Sequence, residues 1–242
     1  MRKITNEKLI TRNQKIGNWA TIAGLVLLFA SVVIGFRYAN LLSIALILTL
    51  AGFIVSQIGM FMINRYGGNP RVDEILNKAL KGLPNSTTIY HFIAPVSHMV
   101  VSPGGVWIIN LRNIRGQISY DENRQRYRHR GGGFLTGYLK IFGQGGLGRP
   151  NLEMKGDIGM LEDFFKKNLP EELLPAVDSV LVFSDDEVEL DVENPLHPTT
   201  HLKGLKKFLR EENKTKRLSE EQMAAIKALF QEATEEEDEV EA

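Results

Sequence analysis

The sequence predicts an α/β domain of strands flanked by helices, preceded by a two-helix transmembrane hairpin. Three observations carry that prediction. Two uncharged apolar runs, residues 19–36 and 41–63, lie in the first quarter of a 242-residue chain. Beyond them, short apolar segments bounded by turn residues alternate with helical patterns. Between two of those segments stands Ser102-Pro103-Gly104-Gly105, where proline presets φ and Gly104 is expected to take φ > 0 in a tight hairpin.

The apolar runs come first in chain order. At ~1.5 Å rise per residue, about 20 residues cross a ~30 Å hydrocarbon core, so each run is long enough to span it. Only residues 37–40 separate them, which predicts a tight antiparallel hairpin. The first run lacks a small-x-small cleavage site, and a second span follows at once, so it reads as a span rather than a signal peptide. Residues 1–63 carry six Lys or Arg against the single acid Glu7. Arg2, Lys3, Lys8, Arg12 and Lys15 precede the first span, Arg65 and Arg71 follow the second, and only Arg37 lies between. The positive-inside rule therefore predicts a multi-pass protein of the cell membrane with both termini cytoplasmic. Trp19 and Tyr38 sit at the ends of the first span as interfacial aromatics do. Ser43, Thr49, Ser56 and Gln57 offer polar groups to the partner helix or to a second copy of the chain. No ionisable residue lies at membrane depth, which argues against a transporter or channel. The absence of cysteine excludes disulfides and thiolate zinc sites.

The boundaries follow from composition. Residues 1–18 form a basic cytoplasmic N-terminus, 19–63 the hairpin, 64–70 a Gly- and Pro-containing linker, and 71–234 the α/β domain with its C-terminal helices. Residues 235–242 form an acidic tail with six acids and no base. Inside the domain, the periodicities predict a helix over 71–83 and strands over 87–94, 98–101, 106–111, 117–120 and 124–129. A glycine-rich loop over 131–148 follows, then a helix over 151–168 whose apolar face is Leu152, Ile158, Leu161, Phe164 and Phe165. A buried strand over 177–183 and helices over 198–210 and 219–232 complete the domain, the last opened by a capping box, Ser219-x-x-Gln222.

Residues 96–116, VSHMVVSPGGVWIINLRNIRG, are the most informative for function. Alternation along the second strand puts Ile108, Asn110 and Arg112 on one face and Trp107, Ile109 and Leu111 on the other. A polar residue, a gap and a cation on one strand face after a hairpin is the layout of a metal-dependent nuclease site. The segment resembles the NERD (nuclease-related) domain, a branch of the PD-(D/E)xK nuclease superfamily, whose pattern runs roughly I-D-H-h-V-V-x-P-x-G-h-h-h-I-E-x-K-x-x-x-G-x-I. Ser97 stands where that pattern has Asp, Asn110 where it has Glu, and Arg112 where it has Lys. Arg115-Gly116-Gln117-Ile118 fits its ending. Upstream, residues 72–84 resemble the family's first helix, with Asp73 in a Glu slot. Downstream, Arg149-Pro150-Asn151-Leu152-Glu153 is similar to its N-P-x-x-Q helix start, with Glu153 in the Gln slot. The resemblance covers about residues 68–212 and implies a restriction-endonuclease-like fold with a central mixed sheet flanked by helices.

In such nucleases two carboxylates hold Mg²⁺ and the lysine assists the attacking water or the transition-state charge. Serine and asparagine bring no negative charge, and an arginine, which stays protonated, does not shuttle protons. The expectation is a non-catalytic domain that binds nucleic acid or a protein partner. One alternative is a Mg²⁺-dependent nuclease in which Asp73, Asp121, Glu122 or Glu153 regroups around the metal. Another is a membrane-organising module that forms homo-oligomers. No metal ligand set is read from the sequence; His197 and His201 are expected at the surface or at a helix cap.

The best basic patch is Arg124-Gln125-Arg126-Tyr127-Arg128-His129-Arg130. Strand alternation would align Arg124, Arg126, Arg128 and Arg130 as a stripe for the phosphates of nucleic acid or anionic lipid, with Tyr120 and Tyr127 able to stack on bases. The same pattern serves an edge strand that resists aggregation.

Overall fold

The computed structural model describes residues 1–131 and 147–239, with side chains as far as Gln231. The predicted glycine-rich loop at 132–146 and the end of the acidic tail lie outside the described residues. The chain divides into two units, residues 6–72 and an α/β unit made of residues 1–5 and 73–242.

The first unit is a helical hairpin. Helix α1 spans Glu7–Arg37 and α2 spans Leu42–Tyr66, joined by a 3-10 turn at Ala39–Leu41. Helix α1 therefore begins well before the apolar run, and residues 7–18 are not a free basic segment. The reason is local. Asn6 caps the helix by accepting from the Leu9 N–H at 2.9 Å, and Glu7 complements the positive helix end. At the open end of the hairpin, Arg71 bonds both carboxylate oxygens of Glu7 at 2.8 and 2.9 Å, and the Gln14 amide donates to the Tyr66 carbonyl at 2.6 Å.

Small residues recur every seventh position on the facing sides, Gly17, Gly24 and Ser31 against Ala45, Gly52 and Gly59, and with Ile10 these are the buried positions of the two helices. A Cβ on Gly24 would lie 2.7 Å from the Ser56 nitrogen, and one on Gly59 would lie 2.6 Å from the Thr21 nitrogen. The backbones thus touch, as small residues permit in lipid-facing helix pairs. Of the four polar residues that the sequence offered to the partner helix or a second copy, Thr49 reaches Ser31 Oγ at 3.0 Å, whereas the buried Ser56 Oγ has no hydrogen-bond partner among the described residues. Large apolar side chains point outward, with Phe29 72% and Ile47 67% exposed. Both helices are long and apolar enough to cross a membrane, and only 11% of each apolar window is buried.

The α/β unit contains a six-stranded mixed sheet in the order β1-β2-β3-β4-β7-β9. Its strands are β1 Arg2–Thr5, β2 Thr88–His91, β3 His98–Ser102, β4 Gly105–Arg112, β7 Val177–Phe183 and β9 Thr199–His201. Strand β1 runs parallel to β2, β2-β3-β4 are antiparallel, and β4, β7 and β9 are parallel. A second sheet holds β5 Gly116–Asp121 between β6 Arg126–Arg130 and β8 Val188–Asp191. The helices are α3 Val72–Ala79, α4 Pro150–Asn168, α5 Leu202–Glu212 and α6 Glu220–Glu239.

Alternation along β4 works as read from sequence. Ile108 joins Tyr90, Met99, Phe165, Ile226 and Phe230 in one core, while Trp107 faces Phe208 of α5 at 4.9 Å. A second core collects Ile118, Tyr127, Met154, Leu181 and Phe183 around the small sheet. In the β3–β4 hairpin the positive φ, +129°, belongs to Gly105 and not to Gly104. Gly104 is needed for room instead, because a Cβ there would lie 2.5 Å from the Glu212 carbonyl.

Several boundaries differ from expectation. Strand β2 stops at His91 because Phe92 turns to φ +59°, and its N–H bonds the Ser97 carbonyl at 2.9 Å. Residues 199–201 extend the sheet rather than opening a helix, since the Leu181 N–H has already engaged the Pro198 carbonyl. Leu152, expected on the buried face of α4, is 60% exposed; Met154, Leu161 and Phe165 fill that face. The capping box of α6 forms, with reciprocal bonds of 3.0 and 3.1 Å between Ser219 and Gln222.

Candidate functional site

Arg112 ends β4 on the face that α4 covers, and Glu153 sits in the first turn of that helix. The two form an ion pair. Glu153 also accepts from the Arg149 N–H at 3.3 Å, and Ser184 reaches the Arg112 carbonyl through its own N–H at 2.9 Å. Asn110 lies two residues earlier on the same strand face, half-buried, in register with Leu181. The fold thus joins Arg112 and Glu153 directly and aligns Asn110 with them.

Asp73 and Ser97 sit on other elements. Asp73 is buried in the first turn of α3 and engaged there, and Ser97 belongs to the loop before β3. Beside them lies a pair the sequence reading did not use. His91 and His98 are cross-strand partners, both buried, with Nδ1 atoms 2.9 Å apart, and His91 Nε2 lies 3.4 Å from Asn77 of α3. One ring donates and the other accepts, so at least one imidazole is neutral. Their spacing becomes informative only once the β2–β3 register is known.

The donor set does not suit Mg²⁺. Asn110 is neutral, Arg112 is cationic, and the one carboxylate among them, Glu153, is already balanced by that arginine. Among the described residues no three His, Cys, Asp or Glu side chains group to hold a metal, so Asp73, Asp121, Glu122 and Glu153 are not gathered into one centre.

The arginine stripe is reduced by the structure. Strand β6 is an edge strand of the small sheet, and it turns Arg126, Arg128 and Arg130 outward. Arg124 precedes it in the β5–β6 turn, where Gln125 takes φ +47°, so the alternation does not include Arg124. Arg128 is paired with Asp121 at 2.6 Å. The Asp121 carboxyl is held below the ordinary range, first by the Arg124 backbone N–H and also by Arg128.

Tyr127 is no stacking platform. It is 9% exposed, its hydroxyl lies 2.6 Å from Thr199 Oγ1, and its ring packs 4.9 Å from that of Tyr120. Burial pushes its pKa up to about 12.

A different basic feature takes the stripe's place. Arg124 and Arg126 line a cleft of about 420 Å³ together with Arg149 and Lys155 from the start of α4, and among the described residues the lining contains no acid. Asn151 closes one wall by donating to the Gln125 carbonyl at 2.6 Å. Leu152 and Leu196, 60% and 53% exposed, form apolar lips. Sequence reading missed Arg149 and Lys155 because they are distant in sequence from the arginine run, and only the docking of α4 beside β6 brings them to it. No family model, curated protein or solved structure matches this chain.

Proposed function

We propose that this chain is an integral membrane protein whose α/β domain binds an anionic partner without hydrolysing it. The resemblance of residues 96–116 to the NERD pattern supports a restriction-endonuclease-like ancestry for the domain. The observation that carries the non-catalytic reading is the Arg112–Glu153 ion pair. The residue in the lysine slot is spent on the Glu153 carboxylate, and Asn110 adds no charge with which to hold Mg²⁺.

Membrane insertion rests on the two apolar helices and their outward-facing large side chains. Strand β1 supports the topology independently of charge counting. Residues 2–5 pair with β2, so the N-terminus and the domain that follows the hairpin share one compartment, and two spans satisfy this. The positive-inside rule makes that compartment the cytoplasm.

Single-cysteine labelling in intact cells tests the topology. A cysteine at Asn40 reacts with an impermeant maleimide, and one at Ser219 does so only after lysis. Labelling of Ser219→Cys in intact cells overturns the assignment.

A further inference from the structure

We infer that the cleft between the β5–β6 turn and the start of α4 is a binding site for the headgroup of an anionic phospholipid. The inference rests on the anion-binding reading above and names its ligand class. Arg124, Arg126, Arg149 and Lys155 converge on the cleft, and among the described residues no carboxylate lines it. The nearest acid on α4 is committed elsewhere, because Glu153 pairs with Arg112. Four cations at one concavity of about 420 Å³ fit a phosphate with a second polar substituent.

The lips decide the class of ligand. Among the described residues of the α/β unit, the large hydrophobic side chains classed as exposed are Leu152, Met160 and Leu196, and two of these three flank the cleft. Cations beside solvent-exposed leucines match an interface with headgroups above and acyl chains below. A single-stranded nucleic acid asks for exposed rings on which bases stack. The aromatic side chain here, Tyr127, is buried against Tyr120 and bonded to Thr199. Among the described residues the cleft therefore offers a phosphate grip and an apolar edge, with no base platform.

The test uses the full chain in nanodiscs of neutral phosphatidylcholine. Three water-soluble probes are titrated by thermophoresis: dihexanoyl phosphatidylserine, dihexanoyl phosphatidylcholine and inorganic phosphate. A fluorescent oligonucleotide is titrated in parallel. The anionic lipid is expected to bind, with phosphatidylcholine and free phosphate at least ~10-fold weaker. Removing cations costs about fivefold each near an anionic lipid, so R126Q with K155Q together are expected to weaken binding roughly 25-fold. Neither side chain makes an ion pair among the described residues, so their loss leaves the fold intact. L152S with L196S is expected to weaken the lipid without changing the response to inorganic phosphate. Oligonucleotide binding that R126Q/K155Q abolishes, with no lipid binding, overturns the lipid assignment and leaves the anion-binding reading standing. Binding of no probe overturns both. Equal affinity for inorganic phosphate and the lipid overturns the role given to the leucines.

Discussion

Replacing Ile4 by proline tests whether the N-terminal strand belongs to the domain, on which the topology depends. The Arg2 N–H donates to the Thr87 carbonyl at 3.0 Å, so the alternation of a parallel ladder turns the Ile4 N–H toward the Ile89 carbonyl. The Lys3 N–H then points away from the sheet, since β1 is an edge strand. Ile4→Pro removes one ladder donor and leaves a carbonyl of fully buried Ile89 unsatisfied, at about 1–3 kcal/mol. It also loses part of the Ile4 packing against the main core, about 1 kcal/mol for a half-buried side chain. The sum, roughly 2–4 kcal/mol, corresponds to ~30–1,000-fold faster exchange of the amides held by β1. Those are the Ile89 and His91 amides, which the same alternation turns toward β1. Hydrogen exchange on the full chain in nanodiscs reads them directly. Lys3→Pro is the control, because proline is tolerated where an edge strand faces solvent, and its effect stays within about 1 kcal/mol. Equal effects of the two substitutions, or no effect of either on Ile89 and His91, would refute the pairing and the shared compartment that follows from it.

Other expectations follow from single contacts. Gly24→Leu overpacks the backbone of the facing helix and destabilises the hairpin by about 1–3 kcal/mol in detergent-driven unfolding, whereas Val33→Leu on the outer face is neutral. Tyr127→Phe removes the bond to Thr199, costs about 1 kcal/mol in thermal unfolding, and leaves anion affinity unchanged. The Asp185 carboxyl is held low, first by the Glu187 backbone N–H and then by the Arg115 side chain. Its contribution is complete above the unfolded carboxylate pKa of about 3.9 and disappears as pH falls through the lower folded value. The Asp185 side-chain carboxyl ¹³C resonance therefore stays fixed from pH 8 to 5 and moves only as pH falls through that lowered value, and Asp185→Asn removes this step while leaving the Glu187 titration in place. Restoring Ser97→Asp, Asn110→Glu and Arg112→Lys together creates weak Mn²⁺ binding in calorimetry, and any one of these alone does not.

Much of the architecture was legible because local signals agreed with the final packing. The two apolar runs, the Pro103-Gly104 turn, the alternation at Trp107 and Ile108, and the Ser219–Gln222 box each report on a few adjacent residues. The elements that were missed depend on distant partners. Residues 2–5 carry two cations and one strong apolar residue, and only β2 makes them a strand. Residues 199–201 become a strand through β7, against a proline that otherwise reads as a helix start. The site divides in the same way. Asn110 and Arg112 were located from strand periodicity, but the charge balance at Glu153 appears only when α4 docks on β4. For the arginines, alternation misled. A positive φ at Gln125 removed Arg124 from the strand, and Asp121 took Arg128.

The central claim is that the Arg112–Glu153 pair stands where hydrolysis would need an open carboxylate centre. Incubating the full chain with a labelled duplex and Mg²⁺ or Mn²⁺ tests it most directly. The expected result is no cleavage above the metal-only background. Cleavage that depends on the metal and disappears in Glu153→Ala or Asp73→Ala would contradict it.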